Sequence, residues 1–245
     1  MKAIEIKNLQ KKFKNKIVVN SINLNIEEGE LFTLLGVNGA GKTTTIKMLS
    51  GLSKPTSGDA LIFNKSILED LDKIKEIIGV SPQETSIAPN LTVKENLEFV
   101  AEIYGFKKDN FKERTTEIIN KFSLEEIENQ KAKTLSGGWQ RRLSIAMALI
   151  SEAKILFLDE PTLGLDVLAR RELWGIINNL KGKTTIILTT HYLEEAEALS
   201  DRIAIMVKGE IKALGTAIEL KELTNTTSLE EAFVKIAEGE MKYEK

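Results

Sequence analysis

The chain has 245 residues, 42% hydrophobic and 29% charged, with a formal net charge of −2 and no cysteine. This predicts a globular protein with a sizeable core, excludes disulfides and thiolate metal sites, and gives no basis for nucleic-acid binding through a global basic field. Met1-Lys2-Ala3-Ile4-Glu5 lacks an apolar leader core, and no run approaches the roughly 18 apolar residues of a membrane helix. The expectation is a cytoplasmic protein. If it acts on a membrane, another chain supplies the spanning part.

Residues 4–9 and 17–26 read as strands, with Ile22, Leu24 and Ile26 alternating with polar residues. Lys11-Lys12-Phe13-Lys14-Asn15-Lys16 between them reads as a polar, hairpin-like loop. Phe13, its only apolar side chain, either packs back on the sheet or stacks on a base bound nearby. Residues 31–35 form an apolar run expected to be a buried strand.

Gly36-Val37-Asn38-Gly39-Ala40-Gly41-Lys42-Thr43 follows and fits Gly-x-x-x-x-Gly-Lys-[Ser/Thr], the phosphate-binding P-loop. Residues 44–50 read as the next helix and Gly51 as its stop. Strand, glycine loop and helix are the context the motif requires. Glycines let backbone N–H groups surround phosphate oxygens, and the positive end of the helix adds to the attraction. Lys42 would place its ammonium on the β- and γ-phosphates, and Thr43 would offer its hydroxyl to Mg²⁺.

Pro55-Thr56-Ser57-Gly58 reads as a turn, 60–63 as a strand, and 77–81 as a short strand ending at Pro82-Gln83. From 85 to 135 strand signals thin out. Thr92-Val93-Lys94-Glu95 looks like a capped helix start, with Leu97, Val100, Ala101 and Tyr104 at helical spacing, and a second helix spans 110–122. The block reads as a helical insertion into an α/β core. Leu135-Ser136-Gly137-Gly138-Trp139-Gln140 then precedes an amphipathic helix, either a second anion-binding loop or a plain helix cap.

Residues 155–160 form an apolar strand ending in Asp159 and Glu160. Paired carboxylates beside a core are costly unless cations or hydrogen bonds compensate. Beside a P-loop, an acid at such a strand end holds Mg²⁺. Strand alternation points neighbouring side chains opposite ways, so Asp159 is assigned to the metal and Glu160 to the attacking water. Asp166 is expected to cap a helix over 167–180 and to contact a partner. Residues 184–189 read as another buried strand leading to His191, the single histidine. A strand over 203–207, a turn at Lys208-Gly209-Glu210 and a capped amphipathic helix over 228–236 complete the chain.

Together these motifs resemble the ATP-binding subunits of ABC transporters, over nearly the whole chain. The resemblance implies an α/β P-loop NTPase core with a mainly parallel sheet flanked by helices, an N-terminal antiparallel β subdomain and an inserted helical subdomain. It implies one ABC ATPase domain: nucleotide-binding core with β subdomain at 1–84 and 151–215, helical subdomain with the signature motif at 85–150, C-terminal helical tail at 216–245. Gly36 to Thr43 looks like Walker A, Gln83 the Q-loop, Ser136-Gly137-Gly138 the signature, residues 155–159 Walker B, Gly164-Leu165-Asp166 the D-loop and His191 the switch histidine. Phe13 occupies the adenine-stacking position.

The resemblance implies nucleotide contacts from Phe13, Gly36, Asn38, Gly39, Ala40, Gly41, Lys42, Thr43, Thr44, Gln83, Ser136, Gly137, Gly138 and Asp166. It implies Mg²⁺ contacts from Thr43, Gln83 and Asp159, and catalysis by Glu160, His191 and Lys42. Its cofactors would be ATP and Mg²⁺. Two chains, as homodimer or heterodimer, would pack head to tail and drive a separate transmembrane permease at the inner face of the membrane. Trp139, where the family's commonest signature has glutamine, and Leu229-Glu230-Glu231-Ala232-Phe233 look most like exporters of drugs, sodium or polysaccharide. A DNA-repair relative would carry an inserted heptad array, and a translation relative two cassettes; this chain shows neither. An assembly protein that binds ATP without turnover would have no use for Glu160 and His191.

Overall fold

The computed structural model describes residues 1–105 and 108–239. Strands β1 (Lys2–Phe13), β2 (Lys16–Glu27) and β3 (Leu31–Leu35) lead into helix α1 (Lys42–Leu49). β4 (Ser57–Ile62), β5 (Lys65–Ser66), α2 (Leu71–Lys75) and β6 (Ile78–Ser81) follow. The helical block comprises α3 (Val93–Ile103), α4 (Lys108–Lys121) and α5 (Gly137–Leu149). The chain then runs through β7 (Ile155–Asp159), α6 (Val167–Asn178), β8 (Thr185–Thr190), α7 (Leu193–Leu199), β9 (Arg202–Val207), β10 (Glu210–Gly215), α8 (Ala217–Thr224) and α9 (Leu229–Glu238).

Two sheets organise these elements. One has order β2-β1-β4-β5 and is antiparallel; the other has order β10-β9-β3-β8-β7-β6 and is parallel except for β10. β3, β7 and β8 are buried along their whole length, which is why they read as unbroken apolar runs. Alternation along β7 sends Ile155 and Phe157 to one face and Leu156 and Leu158 to the other. The first face packs on the N-terminal sheet and α1, the second on α3, α5 and α6. A third cluster joins Leu35 and β9 to α8 and α9 through Leu220, Leu229 and Ile236. The fold is the P-loop NTPase arrangement the sequence implied.

Several local expectations change. Lys11 to Lys16 is not a loop: β1 runs to Phe13, β2 restarts at Lys16, and Lys14 turns the chain with a φ of 51°. Register shifts along β1 bend the long hairpin while its polar residues stay exposed. The strand expected at 60–63 is β4, displaced toward the N-terminus, because Phe63 and Asn64 adopt left-handed turn conformations. α6 stops at Asn178, two residues early. α8 falls within the stretch expected to be a helical tail and opens on a reciprocal capping box of Thr216 and Glu219. Gly51 does end α1, at a φ of +75°, where a β-carbon would lie 2.2 Å from Leu71. The side chain of Asn110, where the second insertion helix was expected to begin, and the tail beyond residue 239 lie outside the described residues.

Candidate functional site

The site begins where β3 ends. Gly36 N–H donates to the Thr190 carbonyl at 3.2 Å, tying the loop's first residue to the end of β8. A β-carbon on Gly36 would lie 2.4 Å from the Met206 carbonyl oxygen, so no other residue fits. Gly41 turns the loop into α1 with a φ of +111°. Lys42 is almost fully buried. Its Nζ donates to the Gly36 carbonyl at 2.7 Å and the Val37 carbonyl at 3.3 Å, and lies 3.3 Å from Glu160 Oε1. The Thr43 hydroxyl donates to Asp159 Oδ1 at 3.0 Å, and Thr189 Oγ1 donates to the same oxygen.

Glu160 departs from the strand-alternation argument. β7 ends at Asp159, and Glu160 turns away with a φ of 48°. Its N–H donates to the Thr189 carbonyl at 3.0 Å and to Thr189 Oγ1 at 3.1 Å. That turn, rather than the pleat, separates the two carboxylates: Asp159 meets Thr43, while Glu160 meets Lys42 and His191. His191 Nδ1 lies 2.9 Å from Glu160 Oε2; the carboxylate can only accept, so Nδ1 is assigned the proton.

A cleft of about 350 Å³ opens above these groups. Asn38, Gly39, Ala40, Gly41, Lys42, Thr43, Thr44, Gln83, Glu160 and His191 line it, with Val18 and Leu163. Gln83 reaches it because the Arg141 guanidinium donates to the carbonyls of Pro82, at 2.6 Å, and Gln83. Burial lowers the Arg141 pKa from its ordinary value, against the attraction of Asp159 and Glu195. Sequence reasoning missed Arg141, since its partners lie nearly sixty residues away. The hydroxyl of Thr43 and the carboxylate of Asp159 are the hard oxygen donors Mg²⁺ prefers. Among the described residues no three His, Cys, Asp or Glu side chains form a metal cage. The pair suits an ion that arrives with phosphate oxygens of its own.

Other expected contacts lie outside the cleft lining. Phe13 is half exposed at the hairpin tip, with Lys11 Nζ 4.9 Å from its ring centre; Val18, on the other arm, lines the cleft instead. Asp166 caps α6, accepting from Leu168 and Ala169 N–H at 2.9 Å each. Ser136 occupies the N-cap position of α5, yet its side chain makes no capping bond, and the residue is exposed beside Gly137. Gly138 permits close packing: its β-carbon would lie 3.1 Å from Ala169 Cβ. Trp139 packs under the Arg142 guanidinium, 4.2 Å from the ring centre, and Arg142 pairs with Glu172 of α6 at 2.7 Å. Gln140 turns back and donates to the Ala132 and Leu135 carbonyls at 3.1 and 3.2 Å.

Comparison with known proteins agrees with this geometry. The sequence profile of the ABC transporter family matches residues 19–163. The chain is 44% identical over 224 residues to the phospholipid-transporting ATPase ABCA3 of Homo sapiens, covering 90% of this chain and 13% of that protein. It is 42% identical over 219 residues to ABC transporter A family member 7 of Dictyostelium discoideum, covering 89% of this chain and 26% of that one. The chain thus spans a small part of these relatives' length. An ATP-binding subunit of an ABC transporter superposes with a TM-score of 0.84 at 30% identity, over 96% of this chain and 99% of that one. A dimeric ATP-binding cassette in a post-hydrolysis state, bound to ADP and Pi, superposes at 0.79 with 29% identity, over 87% and 98%. With its phosphate loop, Glu160 and His191 on one cleft and Asp159 bonded to Thr43, this chain belongs to the ABC transporter family as an ATP-binding ATPase domain.

Proposed function

We propose that the chain binds MgATP in this cleft, pairs head to tail with a second cassette, and hydrolyses ATP to drive export through a membrane-spanning partner. The observation that carries this reading is a division of labour. Phosphate loop, Glu160 and His191 line one cleft, with Asp159 behind Thr43, while Ser136 and Gly137 stay exposed outside it. A second anion-binding loop on the surface has a use if it closes over a neighbour's nucleotide. In that arrangement Asp166 would sit at the seam.

Each residue then has a step. The loop amides and Lys42 hold the β- and γ-phosphates, which draws Lys42 toward the nucleotide and away from Glu160. Thr43, Asp159 and Gln83 would hold Mg²⁺, which when bound neutralises charge on the β- and γ-oxygens. Glu160, hydrogen-bonded to His191, orients the attacking water and takes its proton. Lys42 remains beside the γ-phosphate as charge develops.

An apolar groove of about 500 Å³ lies between β6 and the helical block, lined by Leu52, Val80, Pro82, Val100, Ile103 and Tyr104. Its edge at Pro82 adjoins Gln83. We assign it to the membrane partner, because docking there would touch the segment that reaches the nucleotide cleft. Among the described residues no helix is long and apolar enough to cross a membrane. A solved relative, matched over 91% of its length, is described as part of the ABC transporter complex cbiONQ. The name of the human relative includes phospholipid transport. That name and the exporter-like Trp139 and tail favour outward movement of a lipid-like cargo.

The test uses Glu160→Gln, which keeps shape but removes the base. Turnover should fall by roughly 10²- to 10⁴-fold. The variant should elute as a dimer with MgATP and as a monomer without it, and adding Ser136→Arg should abolish the shift while each P-loop still binds ATP. The shift should also be sought with the membrane partner present. A Glu160→Gln protein that stays monomeric in both settings, or a dimer indifferent to Ser136→Arg, refutes the shared site.

A further inference from the structure

We propose that Trp139 and Arg142 are positioning residues that hold the exposed loop 136–138 against α6, in the place from which it closes over a neighbouring chain's nucleotide. The inference rests on the reading of Ser136 and Gly137 as that closing loop. It gives a role to Trp139, which no step of hydrolysis uses.

The loop has little of its own to hold it. The Ser136 side chain makes no capping bond to α5. Gly137 and Gly138 have no side chains, and even a β-carbon on Gly137 would meet its nearest neighbour, Leu165 Cδ2, only at 4.0 Å. The position of the loop is therefore set by the residues that follow it. Gln140 ties the chain back to the Ala132 and Leu135 carbonyls. On the other side lies α6, where Gly138 comes close enough to Ala169 that a β-carbon would lie 3.1 Å from its Cβ.

The first turns of α5 keep that approach. Trp139 and Leu165 both pack against the core cluster that includes Leu143 of α5 and Leu173 of α6. Arg142, three residues on, lays its guanidinium over the indole, with Cζ 4.2 Å from the ring centre. Its Nη2 donates to Glu172 Oε2 of α6 at 2.7 Å. The contacts follow one seam: Gly137 faces Leu165, Gly138 faces Ala169, and Arg142 reaches Glu172. Ser136 and Asp166, the residues that open α5 and α6, lie at the same end of it.

Of the two contacts Arg142 makes, the ring carries more. Arg142 is buried, whereas the Glu172 side chain is 63% exposed, so water screens the ion pair. A guanidinium withdrawn from water over an indole face is held more strongly than one at the surface. Glutamine, the family's commonest residue at this place, has no such face. If the stack only filled space, an apolar side chain at 142 would fill it without burying a charge.

The experiment uses the full chain carrying Glu160→Gln, alone and with its membrane partner, and compares Trp139→Leu, Trp139→Phe and Arg142→Met. It reads the MgATP concentration that converts half the monomer to dimer, and separately the MgATP affinity of the unpaired chain. Trp139→Leu and Arg142→Met should each raise that concentration by about fivefold or more, the loss expected of a desolvated cation–ring contact. Affinity of the unpaired chain should stay within about twofold. Trp139→Phe keeps an aromatic face and should stay within about threefold in pairing. Arg142→Met exchanges a buried charge for an apolar chain and should melt no lower than its parent, so its loss of pairing is not a loss of fold. A folded Arg142→Met protein that pairs at the normal concentration overturns the proposal, as does a Trp139→Phe protein as impaired as Trp139→Leu. Should Trp139→Leu fail to fold, Arg142→Met decides. Ser136→Arg is assayed alongside. If it leaves pairing intact, or the parent never pairs, the reading of the closing loop falls and the inference with it; if it abolishes pairing while Arg142→Met does not weaken it, the inference alone falls.

Discussion

Replacing His191 by alanine isolates one contact in the proposed hydrolytic machinery. Its Nδ1 lies 2.9 Å from Glu160 Oε2, and the Glu160 side chain is only 8% exposed. Solvent therefore cannot readily replace the lost partner. A hydrogen bond to a charged group is worth about 1.5–3 kcal/mol. At about 1.4 kcal/mol per tenfold in rate, His191→Ala should slow turnover roughly ten- to 150-fold. The phosphate cradle is built by the loop 36–41 and Lys42, which do not bond to His191, so MgATP affinity should stay within about threefold. Steady-state hydrolysis gives kcat, and equilibrium binding of MgATP gives affinity independently. Turnover within about twofold of the unmodified protein would make His191 a structural residue. An affinity loss equal to the loss in kcat would show that the histidine supports the cradle rather than the chemistry.

Other perturbations test other parts of the molecule. Lys42→Ala should abolish tight MgATP binding in a titration, since the phosphates lose their fixed cation; unchanged affinity contradicts the P-loop assignment. Phe13→Ala should weaken ATP by about 1–3 kcal/mol, the order of base–aromatic stacking, while inorganic triphosphate loses little; equal losses exclude adenine stacking. Gly79→Ala should lower the melting temperature by roughly 5–10 °C, because the new methyl would lie 2.0 Å from the Ala148 carbonyl oxygen. Glu195→Gln should flatten the pH dependence of stability. The folded chain keeps the Glu195 proton to higher pH than the unfolded chain, so its contribution is full below the ordinary glutamate pKa and is lost as pH rises through the raised value; parallel stability–pH curves for the two proteins contradict this.

What could be read from the sequence was local or periodic. The P-loop places its glycines, lysine and threonine within eight residues, so the motif carries its own geometry. β3, β7 and β8 were legible because burial on both faces leaves unbroken apolar runs. The Lys11 to Lys16 segment misled because an exposed hairpin end carries no apolar alternation, and register shifts interrupt the pattern that β1 does have. The capping box at Thr216 and Glu219 was a readable start signal for α8. Arg141 and Glu195 were not readable in any local way. Arg141 sits in a basic pair beside Arg142, and only the fold sends one to Pro82 and Gln83 and the other to Glu172. Glu195 has glutamates at 194 and 197 on the same short helix, and only packing buries it completely.

Parallel topology explains why motifs far apart in sequence meet. β3, β6, β7 and β8 all run the same way, so their carboxyl ends lie along one edge of the sheet. From that edge emerge the P-loop after β3, Pro82-Gln83 after β6, Glu160 after β7 and His191 after β8. Ligands in open α/β sheets bind at that edge. The loop at 136–138, proposed as the signature, follows a different rule. It opens α5 after the helical block rather than ending a sheet strand, and α5 is tied to β6 by the Ser81–Ser144 contact at 2.9 Å and by Arg141. The same helix therefore carries the exposed loop at its start and grips the Gln83 segment within its first two turns. A force applied in the apolar groove would reach both the nucleotide cleft and the signature, because α5 joins them.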